Sequence, residues 1–120
     1  MAEYHLGVIE SRFADMIWEN EPISASALAK LAEAELTWKK TTSYTVLKRL
    51  CDKGLFQNES GTVTSRVSRD EFYAMQSERF VDEAFRGSLP AFLAAFTSRK
   101  SLTEEEVAYL RRIVAEHKED

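Results

Sequence analysis

The sequence predicts a mainly α-helical chain with one small β-hairpin: a helical unit closed by the hairpin, then a purely helical extension. Three observations carry that prediction. Apolar residues recur at three- and four-residue intervals along most of the chain. One stretch, "LFQNESGTVTSRVS" (55–68), breaks that spacing, with β-branched and aromatic residues on both sides of a Ser60–Gly61 turn signal. The two prolines and Gly54, Gly61 and Gly87 fall where one periodic segment gives way to the next.

Taken in order, Leu6, Ile9, Phe13, Met16 and Ile17 predict an amphipathic helix over 6–20. Pro22 stops it, because proline has no N–H to continue the ladder and disfavours helical geometry at Glu21. Ser24 or Ser26 can cap a second helix that runs to about Ala34 and buries Leu28 and Leu31. Thr41 or Thr42 can cap a third, with Val46, Leu47 and Leu50 inward and Gly54 in the left-handed position that ends it. Two antiparallel strands follow, about 55–58 and 62–67. Three helices and a hairpin make a winged helix-turn-helix, here spanning 1–68. Trp18, ending the first apolar stripe, is expected in the core. Trp38, ahead of the third helix, is expected to pack beneath it in preference to flanking a sugar-phosphate chain.

Residues 69–120 read as helix again. Phe72, Met75, Phe80, Val81, Ala84 and Phe85 form a wide stripe that Gly87 interrupts. "SLPAFLAAF" begins a short helix with Pro90 tolerated in its first turn. Thr103 caps a last helix whose Glu104, Glu105 and Glu106 face the positive end of its dipole. Helices this short and this rich in Phe and Leu do not close a core by themselves. The expectation is that two chains intertwine them into a homodimer through Phe72, Met75, Phe80 and Phe85, then Leu89, Phe92, Leu93, Phe96 and Leu110. The alternative is an adaptor whose aromatic half captures a different protein.

The totals limit the function. At 120 residues the chain is one domain, or one with an appendage. With 44% hydrophobic residues it has enough apolar surface to fold. A single cysteine, Cys51, excludes an internal disulfide or a zinc site of several thiolates, and Cys51 reads as a packing residue. No apolar run approaches the ~20 residues that span a bilayer, and the N-terminus lacks a signal pattern, so the expectation is a cytoplasmic protein with no membrane insertion. His5 and His117 sit near opposite ends, and no nucleophile–base set, phosphate loop, metal spacing or cofactor motif is visible, so no enzyme is expected.

The net charge of −4 argues against a nucleic-acid partner, but its distribution argues for one. Residues 1–36 carry −5 and residues 67–120 carry −3, whereas 37–66, with six bases against two acids, carry +4. On the third helix, Thr41, Thr42, Thr45, Lys48 and Arg49 fall wholly or partly outside the apolar face. Short hydroxyl side chains allow close approach to base edges, and a threonine methyl can pack on that of thymine. Lys48 and Arg49 reach flanking phosphates, while Lys39 and Lys40 stand at the helix entrance, where backbone N–H groups favour phosphate oxygens. Arg66, with Thr62, Thr64 and Ser65, can touch backbone from the wing. A capped and solvated helix would carry similar residues; the wing that follows favours the DNA reading.

Three separated blocks also resemble a known family: "ESRFADMIWENEPISASALAKLAE", "KKTTSYTVLKRLCDKGLF" and "GSLPAFLAAF…LTEEEVAYLRRI". In this order, across about 6–115, they are similar to the penicillinase-repressor family, whose relatives include the methicillin-resistance repressor and copper-responsive repressors. The resemblance implies a homodimeric winged-helix repressor of palindromic double-stranded operator DNA, with a recognition helix at about Thr41–Lys53. It implies Thr42 and Thr45 at the DNA face, and places Tyr44 where the β-lactam-responsive members carry an operator-facing Arg. Their proteolysed bond aligns with Ala95–Phe96, where they have Asn before Phe, and their release implies a membrane sensor protease as partner. The copper-responsive members' C-terminal cysteines have no counterpart after Cys51.

Overall fold

In the computed structural model, which describes residues 6–117, these described residues form six α-helices and one three-stranded antiparallel sheet. Helix α1 (Val8–Asn20) buries Phe13, Ala14, Met16 and Ile17. Ile9, one turn ahead of that packed segment, stays 48% exposed, contrary to the apolar spacing. The chain turns extended at Glu21, ahead of Pro22. Strand β1 (Ile23–Ser24) is only two residues long and was not anticipated; it pairs antiparallel with β3.

The Ser24 hydroxyl accepts the Ala27 N–H at 3.0 Å and caps α2 (Ala25–Leu36). Leu28 is buried beneath this helix with Ala29 and Ala32, and Leu31 is half-buried. The left-handed Thr37 (φ 56°) ends it. Helix α3 (Lys40–Asp52) starts directly after the extended Lys39, with no side-chain cap. The threonines predicted to cap it lie inside its first turn, because helical backbone begins as soon as Trp38 has packed on Phe13, ring centroids 5.0 Å apart. Ser43, Val46, Leu47 and Leu50 form its buried face. Gly54 (φ 88°) follows and lets the Leu55 N–H return to the Leu50 carbonyl at 3.2 Å.

Strands β2 (Phe56–Glu59) and β3 (Thr62–Ser65) make the wing, in sheet order β1-β3-β2. Ser60 (φ 52°) and Gly61 (φ 91°) form the two-residue turn with positive φ at both positions that suits a twisted hairpin. The Gly61 carbonyl accepts the Ala25 N–H at 2.8 Å, tying the wing tip to the start of α2. Strand β3 ends two residues before the predicted limit because the Arg66 and Val67 N–H groups both turn to the Leu55 carbonyl, at 2.8 and 3.3 Å.

Helix α4 (Arg69–Phe85) opens with a reciprocal cap between Ser68 and Glu71. Its first turns belong to the winged helix. Phe72 is 1% exposed and packs on Trp18 at 5.5 Å, while the Trp18 indole N–H donates to the Val67 carbonyl at 2.9 Å. The Tyr73 hydroxyl and the Arg69 guanidinium both donate to Asp15 on α1. The first compact unit runs to Ser77. Phe72 lies in this core and not on the open apolar face to which its spacing assigned it.

The second unit, from Glu78 onward, holds the end of α4 with α5 (Leu89–Arg99) and α6 (Glu104–Glu116). Ser88 caps α5, with Pro90 in its first turn, and Thr103 forms a capping box with Glu106 on α6. Phe80, Phe85 and Phe92 meet edge to face at 5.6–6.1 Å. No residue of α5 or α6 is fully buried within the chain.

Candidate nucleic-acid interface

The buried face of α3 determines what its opposite face can present. With Ser43, Val46, Leu47 and Leu50 inward, Thr41, Thr45, Lys48 and Asp52 follow one another along the exposed side at helical spacing. Thr42 and Arg49 lie exposed on one flank, and Tyr44 is half-buried on the other. Lys39 and Lys40 are exposed at the helix entrance, with the Lys40 ammonium 5.7 Å from the centroid of the Tyr44 ring. The Thr45 hydroxyl donates to the Thr41 carbonyl at 2.9 Å. Arg66 is exposed on the wing.

The cations of this surface differ in how firmly they are held. Lys48 pairs with Asp52 at 3.2 Å, but the two side chains are 78% and 67% exposed, so the pair is weak and exchangeable. Arg49 is different: its guanidinium meets Glu10 of α1 at 3.1 Å. Lys53 stands 3.9 Å from the other oxygen of that carboxylate, which also accepts the Gly7 N–H at 3.2 Å. Burial alone would push the Glu10 carboxyl up. The Gly7 N–H, the Arg49 guanidinium and the Lys53 ammonium outweigh it and hold the group below its ordinary value.

On the wing, Ser65 is already engaged, its N–H and hydroxyl donating to Glu21 at 2.7 and 2.9 Å. Thr64 accepts from the Gln57 amide at 3.1 Å, leaving Thr62 and Arg66 as the exposed polar side chains of that strand and its end. Sequence reasoning also missed a cleft of about 150 Å³ where Ser26 and Lys30 of α2 meet Lys40, with Glu33 on its wall. Lys30, the lone base between Arg12 and Lys39, was its available signal.

The second unit presents apolar surface in place of charge. Phe80, Leu89 and Phe96 are 45–55% exposed, and Phe85, Phe92 and Leu93 are half-buried; Met75, also half-buried, belongs to the first unit. An open apolar cleft of about 350 Å³ runs along α6 between Leu102, Val107, Leu110 and Val114. Ile113 and Tyr109 of α6, which the sequence reading did not select, are also exposed. The Ala95–Phe96 bond lies within regular α5, where the Ala95 carbonyl accepts the Ser98 hydroxyl and the Phe96 carbonyl accepts the Lys100 N–H. His117 is exposed after α6, and His5 lies outside the described residues. Among the described residues, no helix is long and apolar enough to cross a membrane.

The penicillinase repressor family model matches residues 6–116, almost the whole chain. The chain belongs to that family. Its members are repressors by name, and the winged helix of the first unit is the architecture the family resemblance implied. The penicillinase repressor of Bacillus licheniformis is 28% identical over 107 residues, covering 86% of this chain and 84% of that protein. In this penicillinase-repressor family member, the match embraces the exposed side of α3, the wing and both apolar helices.

Proposed function

We propose that the protein is a homodimeric repressor that reads a palindromic operator with α3. The supporting observation is the composition of the exposed side of that helix: Thr41, Thr42, Thr45 and Lys48 outward, framed by Lys39, Lys40 and Arg66 and held by an apolar face that is fully inside. Hydroxyls at the centre suit base edges and lysines at the margins suit phosphates. Tyr44, with Lys40 over its ring, lies at the edge of the reading surface, where it offers a hydroxyl and an aromatic face but no bidentate guanine contact.

The apolar side chains of the second unit fit a second copy of the same chain. Two copies related by a two-fold axis would cover Phe80, Leu89, Phe96 and the α6 cleft reciprocally and would present two α3 helices to two half-sites. Repression is lifted, in this reading, when a membrane sensor protease cuts near Ala95–Phe96. That cut requires local unwinding of α5, since the bond sits within helical hydrogen bonding.

The deciding experiment is binding of the purified protein to the DNA upstream of its own gene. A protected palindrome, and affinity that falls by about 10³–10⁵ between 50 and 200 mM salt, are expected. Binding that is flat in salt or indifferent to scrambling the palindrome would discard the reading. Sedimentation of the free protein separates homodimer from adaptor: a monomer with its aromatic helices open would favour a heterologous partner.

A further inference from the structure

We propose that Glu10 is a charge mask for α3: it holds the half-exposed Arg49 guanidinium against α1 and so limits the share of DNA affinity that is independent of sequence. The inference rests on the DNA-binding reading above. Arg49 sits on the flank of the exposed side, between Thr45 and Lys53, where a loose guanidinium would reach for phosphate on any sequence. It does not hang loose, because Glu10 Oε2 holds it at 3.1 Å.

The neighbouring pair shows why this one matters. Lys48 and Asp52 are both largely in water, so a DNA phosphate can displace Asp52 from Lys48 at little cost. The Glu10 side chain is only 20% exposed and is fixed by Gly7 as well as by Arg49 and Lys53. Drawing Arg49 away would leave a carboxylate only 20% exposed with one charged partner fewer, a penalty the Lys48 pair does not carry. A phosphate contact adds equally to right and wrong sites, so keeping Arg49 back lowers non-specific binding and raises the ratio that discriminates an operator.

The test is a salt titration on a short random-sequence duplex, which needs no knowledge of the operator. Glu10→Gln keeps an acceptor for the Gly7 N–H but removes the charge. Freeing one Arg49 per subunit should add about two phosphate contacts to a dimer, steepening the slope of log K against log salt by about 1.8. Between 50 and 200 mM this variant should lose about twelve-fold more affinity than the native protein. Arg49→Ala in the native background should leave the slope unchanged, and in the Glu10→Gln background should restore it.

A native slope that already falls by about 1.8 on Arg49→Ala, or a Glu10→Gln slope equal to the native one, overturns the proposal. Arg49→Ala keeps the test decisive should Glu10→Gln not fold. Lys48→Ala separates the two readings. If it flattens the slope while the Glu10 arm fails, DNA binding stands and the mask falls; if no variant alters binding to DNA, both fall.

Discussion

Ser43 carries the one buried side-chain oxygen among the described residues that finds no hydrogen-bond partner, and it sits on the inner face of α3 at 2% exposure. A buried hydroxyl without a partner costs about 1–3 kcal/mol relative to water. Ser43→Ala removes that cost and gains a few tenths of a kcal/mol in helix propensity. Against this stands the loss of one oxygen's dispersion contacts, roughly 0.1–0.2 kcal/mol for each neighbouring atom. The balance favours the variant by about 1–2 kcal/mol, or roughly 4–8 °C in melting temperature for each kcal/mol in a unit of this size. Trp18 and Trp38 both lie in the winged-helix unit, so their fluorescence during urea unfolding, at one fixed protein concentration, reports this unit directly. DNA affinity should not change, because the hydroxyl faces away from the exposed side. A destabilisation of about 1 kcal/mol would refute the reasoning, since that is what losing a made hydrogen bond costs.

Three further outcomes are expected. Trp18→Phe keeps an aromatic ring against Phe56 and Phe72 but leaves the half-buried Val67 carbonyl without its indole donor; a loss of about 1–3 kcal/mol in urea unfolding is expected, and an unchanged midpoint would contradict the bond's importance. The Glu10 carboxyl is held below its ordinary 4.5 in the folded chain, so its stabilisation is complete at neutral pH and is lost as pH falls through and below that value. Glu10→Gln should therefore flatten the acid limb of the stability profile, and superimposable limbs would exclude that role. Burial first, and then the neighbouring Asp52, pushes the Cys51 thiol up despite Lys48. Alkylation by iodoacetamide at pH 7 should thus be slower than for a free thiol, and equal rates would show the group to be solvated.

The features legible in the sequence were those whose cause is local. Periodicity located the helices, and the Ser60–Gly61 turn located the wing, because each depends on residues a few positions apart. Strand β1 has two residues and no period to read; its partners, Val63 and Thr62, lie about forty positions away. The start of α3 was misjudged because packing of Trp38 on Phe13 decided it, not a hydroxyl. The stripe of α4 gave correct apolar positions but could not show that Phe72 is used by Trp18 while Phe80 joins the second unit. The exposed side of α3 was legible for the same local reason, since an apolar inner face fixes the outer one. Arg49 was not, because its partner Glu10 lies thirty-nine positions away on another helix.

That distinction also resolves the conflict between an acidic chain and a phosphate-binding proposal. The net charge of −4 is a long-range quantity, whereas in the proposed reading contact would be made by the 37–66 segment, at +4. At physiological salt the screening length is about 8 Å. Acids farther from the docked duplex than this contribute little, and those nearest it decide the balance. Asp52 stands on the exposed side itself and Glu10 on its flank, and the two differ in consequence. Asp52, in water, can give up Lys48 to a phosphate; Glu10, half-withdrawn, accepting from Gly7 and Arg49 and paired with Lys53 at 3.9 Å, would keep Arg49 in the proposed reading. In the proposed reading, the surface then meets DNA with fewer working cations than its sequence carries. Affinity must come from fit to base edges and from the second subunit, which is what a regulator needs if it is to leave random sequence and remain on its operator.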